Sequence, residues 1–218
     1  MALRLPRGIQ FGFARLDDDK LYTASALVAD GETAKPTFDG EAPAANEVVL
    51  LTTTGWPGAN NKVGRVNATG GIEGIDVSAP ELYPTGTAGT VAAQGVQEWT
   101  DFTQQGEPTT SGGEQQFWNG TLLEDPSGRQ ISLPTFKNAK NLSLPLYFDP
   151  KLPWYKKAKL ADAIGKPLVL RAKMAEETLY WFGYLSFDGD PSITANTPMG
   201  NMMTFTMLQE STYVPNAG

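Results

Sequence analysis

The feature that most constrains the fold is an alternation of apolar and polar side chains with period two. It recurs in five segments, which are Ile9–Phe13, Leu142–Phe148, Leu168–Met174, Leu179–Phe187 and Met203–Met207. Because successive side chains of a strand point to opposite faces of a sheet, this period is typical of β-strands and not of helices. Shorter candidates for strands lie at residues 21–28, 48–54, 72–77 and 116–123. The sequence therefore predicts a mainly β protein.

One of these segments is apolar on both faces and is predicted to lie in the core. Within Leu179–Phe187, Trp181 belongs to one face, and Phe182 and Tyr184 belong to the other. A strand of this kind is buried on both sides, so we expect Trp181, Phe182 and Tyr184, together with Phe205, to form the core of the sheet. A second interpretation of Trp181 and Tyr184 is an aromatic platform on which a sugar ring stacks.

A single helix is predicted between two strands of the C-terminal third. Asp149 and Pro150 offer an N-cap followed by a proline at the first helical position, and Gly165 followed by Pro167 offers a stop. Between them lies an apolar stripe at helical spacing, formed by Trp154, Ala158, Ala161 and Ile164. The predicted fold is one domain over residues 1–218, with two packed antiparallel sheets, sandwich-like or barrel-like, and one flanking α-helix.

Two long stretches lack sustained periodicity and are predicted to be insertions in this domain. They span about residues 29–47 and 78–114, and the second contains Tyr83, Trp99 and Phe102. Long irregular segments inside a domain are usually functional or disordered. One interpretation is that they are arms that order against a neighbouring chain, with these three aromatic residues as the contacts. The alternative is that they are surface loops.

The charge is unevenly distributed along the chain, whose net charge is −7. Residues 1–133 carry 8 basic and 17 acidic side chains, residues 134–175 carry 9 and 2, and residues 176–218 carry 0 and 5. A basic block between two acidic blocks suits head-to-tail contact between identical copies. Solvated faces without a partner give the same pattern. The net negative charge argues against a protein that binds DNA through its phosphates.

Composition argues against most classes of catalytic site. The chain has no histidine and no cysteine, which removes the histidine-based triads, thiolate nucleophiles and the common zinc sites. No dinucleotide-binding or phosphate-loop spacing occurs. We therefore predict no catalytic, cofactor-binding or metal-binding residues. A glycosidase needs only two carboxylates, and Glu73, Asp76, Glu114 and Glu124 are the candidates for that alternative.

The sequence also bears on where the protein is expected to be found. No apolar run approaches the roughly 18 residues that a membrane-spanning helix requires. Residues 1–10 lack the apolar core of a secretory signal and contain Pro6. We expect a chain that stays in the cytoplasm where it is made and that has no membrane partner.

The C-terminal third resembles a known family. From Thr135 to Ser211 the chain reads TFKNAKNLSLPLYFDP, then PWYKKAKLADAIGKPLVLRAK, then YWFGYLSFDGD and NMMTFTMLQES. The order of a strand, a capped helix, a strand, an aromatic-Gly-aromatic-x-Ser strand (Phe182 to Ser186) and a Thr-rich strand is similar to that of the major tail tube proteins of long non-contractile-tailed bacteriophages. The resemblance is good over this third and loose over residues 1–134.

The resemblance implies a set of expectations about fold and function. The family has two packed antiparallel sheets with a flanking helix and no catalytic residues. Its members form hexameric rings that stack into a hollow tube in the virion tail. The implied partners are further copies of the chain, a tape measure protein, and tail terminator and baseplate proteins. DNA passes through the lumen without specific binding, and assembly takes place in the host cytoplasm.

Other functions remain open at this stage. A monomeric β-sandwich that binds a carbohydrate or a receptor fits the same alternation of apolar residues. Among virion proteins, a tail terminator or a baseplate hub with the same sandwich is a further alternative.

Overall fold

A computed structural model describes residues 8–121 and 130–216. The protein is mainly β, as the sequence predicts, and the described residues contain one α-helix. The elements in chain order are β1 (Gln10–Asp30), β2 (Thr33–Phe38), β3 (Val48–Thr53), β4 (Lys62–Val66), β5 (Ile72–Glu73), β6 (Val91–Val96), β7 (Thr100–Asp101), β8 (Thr109–Ser111), β9 (Gln115–Thr121), β10 (Gln130–Lys137), β11 (Asn141–Tyr147), α1 (Pro153–Ile164), β12 (Leu168–Lys173), β13 (Glu177–Phe187), β14 (Gly200–Met207) and β15 (Thr212–Pro215). No helix in these ranges is long and apolar enough to cross a membrane.

Strand β1 is 21 residues long and belongs to two sheets. Its first part, from Gln10 to Arg15, pairs with β12. Its remainder pairs with β6 and β2. A bulge separates the two parts, because Leu16 lies opposite Val96 whereas Leu21 lies opposite Gln94. Such an irregularity bends a strand and increases its twist, which lets one strand serve two sheets.

The second part of β1 closes a small barrel. Its strands follow one another in the order β1, β2, β5, β4, β3, β6, and β6 pairs with β1 again. The interior is apolar, with Trp56, Leu51, Ile72 and Ile75 fully buried. Strand β3 can enter such a closed sheet because its sequence, VVLLTT, is apolar on both faces.

The first part of β1 belongs to an antiparallel sheet, here called the open sheet. Its order is β7, β1, β12, β13, β14, β11, β8, and β15 pairs with the beginning of β13. The outer faces of β3 and β4 pack on one face of this sheet through Val48, Leu50 and Val63, which meet Val169 and Phe182. Helix α1 covers the other face, so the layers are helix, open sheet and barrel.

The helix binds the open sheet through Trp154, Tyr155, Ala158 and Ala161, which are buried. Gly165 ends it in the left-handed conformation at φ 65°, as its position in the sequence predicts. The predicted start is wrong by three residues. Leu152 is the N-cap and Pro153 the first helical residue, because the Asp149 side chain instead accepts a hydrogen bond from the Lys151 amide in a preceding turn.

Three of the four predicted core residues are buried. Trp181 and Phe205 face the helix, and Phe182 faces the barrel. Tyr184 differs from the prediction, since its side chain is 44% exposed. Tyr184 shares the face of Phe182 but lies two residues further along β13. Phe182 packs in the layer between the open sheet and the barrel, and Tyr184 lies outside that layer.

The two stretches predicted to be insertions contain structural strands. Residues 29–47 include β2, and residues 78–114 include β6, β7 and β8. Strand β6 lies between β1 and β3 inside the barrel. Its sequence, VAAQGV, alternates in burial but carries small side chains, so its hydrophobic period is weak in the sequence. These stretches are therefore part of the folded body and not free arms.

A row of side chains across the open sheet joins it to the barrel. Asp101 on β7 and Arg171 on β12 both lie opposite Gly12 of β1 and form an ion pair of 2.8 Å across it. A Cβ atom at Gly12 would lie 2.3 Å from the Asp101 carboxylate, so a larger residue there would displace the carboxylate from the ion pair. The row continues through Tyr180 to Thr212, whose hydroxyl donates to the Val63 carbonyl of the barrel.

The Arg171 guanidinium is also held by its neighbours. It lies 4.1 Å from the ring centroid of Trp99, which in turn lies 6.0 Å from the Tyr180 ring. Arg171 is buried, so its charge depends on Asp101 for compensation. Burial raises the pKa of Tyr180, so its phenol stays protonated at neutral pH.

Asp101→Asn should therefore lower the free energy of unfolding by about 2 kcal/mol, because the buried guanidinium loses its counter-charge. Asp30→Asn is the matched control, since Asp30 pairs with Lys35 at 3.5 Å in an exposed position. It should cost about 0.5 kcal/mol or less. Urea unfolding of both variants measures the difference, and equal costs would contradict an organising role for Asp101.

Candidate assembly surfaces

The most exposed apolar structure is a two-stranded hairpin, here called the arm, formed by β9 and β10. It extends from the margin of the open sheet, where β8 leads into β9 and β10 leads into β11. The two strands pack chiefly against each other. At the base of the arm, Lys137 and Glu210 form an exposed ion pair at 3.9 Å. The arm is thus an outgrowth of the sheet and not a layer of the core.

Two glycines set the direction of the arm where it leaves the sheet. Gly112 and Gly113 have φ values of 82° and 88°. A Cβ atom at Gly112 would lie 2.1 Å from the Ala139 carbonyl oxygen of the opposite strand. Glycine is the residue that adopts this backbone region without strain. Beyond this joint, paired hydrogen bonds between Gly113, Glu114 and Asn138 resume the ladder.

The arm exposes apolar side chains on both of its faces. Trp118 lies opposite Leu133, and Phe117 lies opposite Pro134. The Trp118 ring lies over Gly120, where a Cβ atom would come within 2.0 Å of it. The large apolar side chains that remain about half or more exposed are Phe117, Trp118, Leu133 and Phe136. Exposed large apolar side chains grouped in this way are typical of interaction sites.

A second candidate surface is the part of the open sheet that the barrel leaves uncovered, here called the uncharged face. Tyr147, Tyr184 and Met202 are its exposed large side chains. Cross-strand pairing places smaller residues between them, and eight side chains of this face are Ser143, Pro145, Tyr147, Tyr184, Ser186, Met202, Thr204 and Thr206. None of these eight side chains carries a charge, and Asp188 and Asp190 lie beside Tyr147 and Met202 at the border of the face.

The charged surfaces lie elsewhere in the fold. Helix α1 exposes Lys156, Lys157 and Lys159 on its outer side, together with Leu160. Acidic side chains lie at the bulge of β1, in residues 17–19. Near this bulge, burial and the Glu47 carboxylate raise the pKa of Tyr22. Three of the nine basic residues of the basic block thus lie on the helix surface, and an acidic cluster lies where the two sheets meet.

Of the three aromatic residues predicted as contacts with a neighbouring chain, Tyr83 and Phe102 lie inside this chain. Tyr83 packs edge-on against Trp56 at 5.4 Å, and Phe102 lies 5.6 Å from Trp154. Both are buried, and burial raises the pKa of Tyr83. Trp99 is half-buried beneath Arg171. Tyr83 and Phe102 therefore offer no surface to a partner, because the segments that carry them belong to the body.

The carboxylates considered for a glycosidase are engaged separately. Glu73 forms an ion pair with Arg65 at 2.7 Å. Hydrogen bonds from Ser78 lower the pKa of Asp76, which is the reverse of what a general acid needs. Glu114 lies at the base of the arm, and Glu124 lies outside the described residues. In residues 8–121 and 130–216, no three carboxylates cluster as a metal site would require.

Sequence reasoning found one strand of the arm and missed the hairpin. Residues 116–123 are predicted as a strand, but residues 130–137 are not. The signals in the sequence that could have found the hairpin are the pair of glycines at 112 and 113, the residue types D-P-S-G at positions 125–128, which are typical of turns, and the apolar residues Ile131, Leu133 and Phe136 at alternate or nearly alternate positions.

Comparisons with known proteins identify the family. A family model described as phage tail tube protein (TTP) matches residues 54–216, about three quarters of the chain. No protein of the curated collection matches the sequence. Among solved structures, a chain of the virion of a native gene transfer agent particle is similar, with 11% identity and a TM-score of 0.38 over 55% of this chain and 89% of that one. The chain belongs to the phage tail tube protein family and is a structural component of a phage-type tail.

Proposed function

We propose that copies of this chain assemble into hexameric rings, and that these rings stack into the hollow tube through which a phage genome reaches its host. The observation that carries the proposal is the arm, a projecting hairpin with apolar side chains on both faces. An isolated two-stranded hairpin is marginally stable in water. It gains support when a neighbouring subunit covers Trp118, Leu133 and Phe136.

The surfaces of the body suit the same role. The uncharged face offers a flat, half-apolar sheet surface on which a subunit can pack with little cost of desolvating charges. The lysines of α1 form a basic patch, and the acids of residues 17–19 form an acidic patch near the C-terminal end of the helix, since Asp18 and Ile164 line one cavity. In a ring, patches of opposite charge favour one relative orientation of neighbouring copies over others.

The proposed function needs no catalysis, and we assign the protein none. Its partners are other copies of itself, the tape measure protein that fills the growing tube, and the tail terminator and baseplate proteins at the two ends. The protein resides in the virion tail after assembly in the host cytoplasm. DNA passes through the lumen without a specific site.

The lumen of the proposed tube is lined by acidic groups from residues 1–133. That part of the chain carries 17 of the 24 acidic side chains. Like charge keeps DNA phosphates from adhering to the wall, because no condensed counterions are released on contact.

Concentrated purified protein should form rings or tubes of uniform bore under negative-stain electron microscopy. Leu133→Ser in the arm should reduce this assembly, raising the protein concentration it requires about tenfold. Leu82→Ser is the matched control. It makes the same chemical change at a leucine of the body that is 64% exposed. Both variants should keep their free energy of unfolding within about 1 kcal/mol.

A strictly monomeric wild-type protein at every concentration would contradict the proposed function. Equal assembly by Leu133→Ser and the wild type would instead show that the arm is dispensable.

A reconstruction of the assembled tube should place acidic side chains of residues 1–133 on the inner wall, because a wall that repels phosphate lets DNA slide. Electron cryomicroscopy measures this directly. A map in which these carboxylates face outward, and in which the inner wall is neutral or basic, would overturn the assignment of the lumen.

A further inference from the structure

The arm has two outer edges, and in the described chain neither is paired with another strand. Strand β9 pairs only with β10, and β10 pairs only with β9. An unpaired edge displays a row of backbone N–H and C=O groups that can accept a strand from another chain. The two edges of the arm are not equivalent, however, and the difference follows from a single proline.

Pro134 closes the outer edge of β10. It lies opposite Phe117 in the ladder. Proline has no N–H, so Pro134 and Phe117 cannot exchange both backbone hydrogen bonds of a hydrogen-bonded pair. The backbone carbonyl of Pro134 must therefore point away from β9. The direction of the backbone N–H and C=O groups alternates from residue to residue along a strand. The backbone groups of Ser132 and Gln130 therefore also point away from β9. The outer edge of β10 therefore lacks a donor at Pro134, which interrupts any strand added there.

The same register leaves the backbone groups on the outer edge of β9 available for pairing. Phe117, Asn119 and Thr121 lie opposite the three outward-pointing residues of β10. Their backbone groups therefore point away from β10, and each of the three residues has an N–H group to donate. Strand β9 thus presents three successive outward donors and acceptors, evenly spaced along its edge.

The side chains of β9 leave this edge unprotected. Proteins usually guard an exposed edge with charges or proline. Strand β9 has the sequence QQFWNGT, without a charged residue or proline, whereas β10 carries both Pro134 and Lys137. The exposed Phe117 and Trp118 side chains flank the β9 edge on the two faces of the arm, so an added strand would also cover apolar surface.

We infer that the outer edge of β9 pairs, backbone to backbone, with an extended segment of a second copy of this chain, and that the edge of β10 stays free. The inference rests on the proposed function, because a tube subunit meets other copies of itself at high local concentration. Backbone pairing supplies affinity, and the flanking aromatic residues supply the apolar contact. The uncharged edge suits a partner segment that is itself uncharged.

Two proline variants at facing positions test the inference. Asn119 and Ser132 lie opposite each other, and both backbones point outward, so neither variant removes a hydrogen bond within the arm. Asn119→Pro takes one donor from the β9 edge, and Ser132→Pro takes one from the β10 edge. We expect Asn119→Pro to raise the concentration required for assembly by about tenfold or more. Ser132→Pro should stay within about twofold of the wild type.

The outcomes separate this inference from the proposed function. If the wild type forms tubes and Asn119→Pro forms them equally well, or if Ser132→Pro is as harmful as Asn119→Pro, the β9 edge is not the joint. If the wild type never assembles, the proposed function itself fails.

Hydrogen exchange on the wild-type protein keeps the test decisive if a proline variant distorts the arm. The Asn119 amide should exchange at least about tenfold more slowly in tubes than in the free chain. The Ser132 amide should exchange at similar rates in both. Fast exchange at Asn119 in assembled tubes would overturn the inference without reference to any variant.

Discussion

The architecture depends on a partly buried ion pair that crosses a glycine. Arg171 and Asp101 come from strands on either side of β1 and meet over Gly12, where no side chain intervenes. The same row of the sheet reaches the barrel through Thr212. Because a buried guanidinium is tolerated only with its partner in place, this row allows few alternative registers between β7, β1 and β12. The long strand β1 then carries that register into the barrel.

The layers that follow from this arrangement bury three apolar clusters of the body. The helix covers one face of the open sheet, the barrel covers half of the other, and the barrel interior is filled by its own core. What remains exposed is chemically distinct. The arm is apolar and the remaining sheet face is uncharged, so both surfaces differ from a surface built only for solvation. The proposed assembly into a tube requires such surfaces, because it depends on contacts between copies.

The sequence alone predicts strands where large side chains alternate, and it predicts the end of the helix where glycine and proline follow the apolar stripe. The strand around Trp181 and the helix stop at Gly165 are examples. The predicted start of α1 is wrong because Asp149 and Pro150 form a turn whose residue types match those of an N-cap. Strand β6 is not predicted, because alanine and glycine weaken the hydrophobic period of its sequence. Tyr184 is exposed because its burial depends on how far the barrel extends over the sheet. The pairing of Asp101 with Arg171 was beyond reach, since 70 residues separate them.

The paired glycines at the root of the arm have a mechanical consequence. A filament made of many identical pieces must curve without tearing its joints. Here Gly112 and Gly113 form the link between a rigid body and a hairpin whose own ladder is intact. Deformation concentrates where backbone rotation is least restricted, which is at these two residues and not in the cores. In the proposed tube, bending is thereby absorbed at this link while each globular unit keeps its shape.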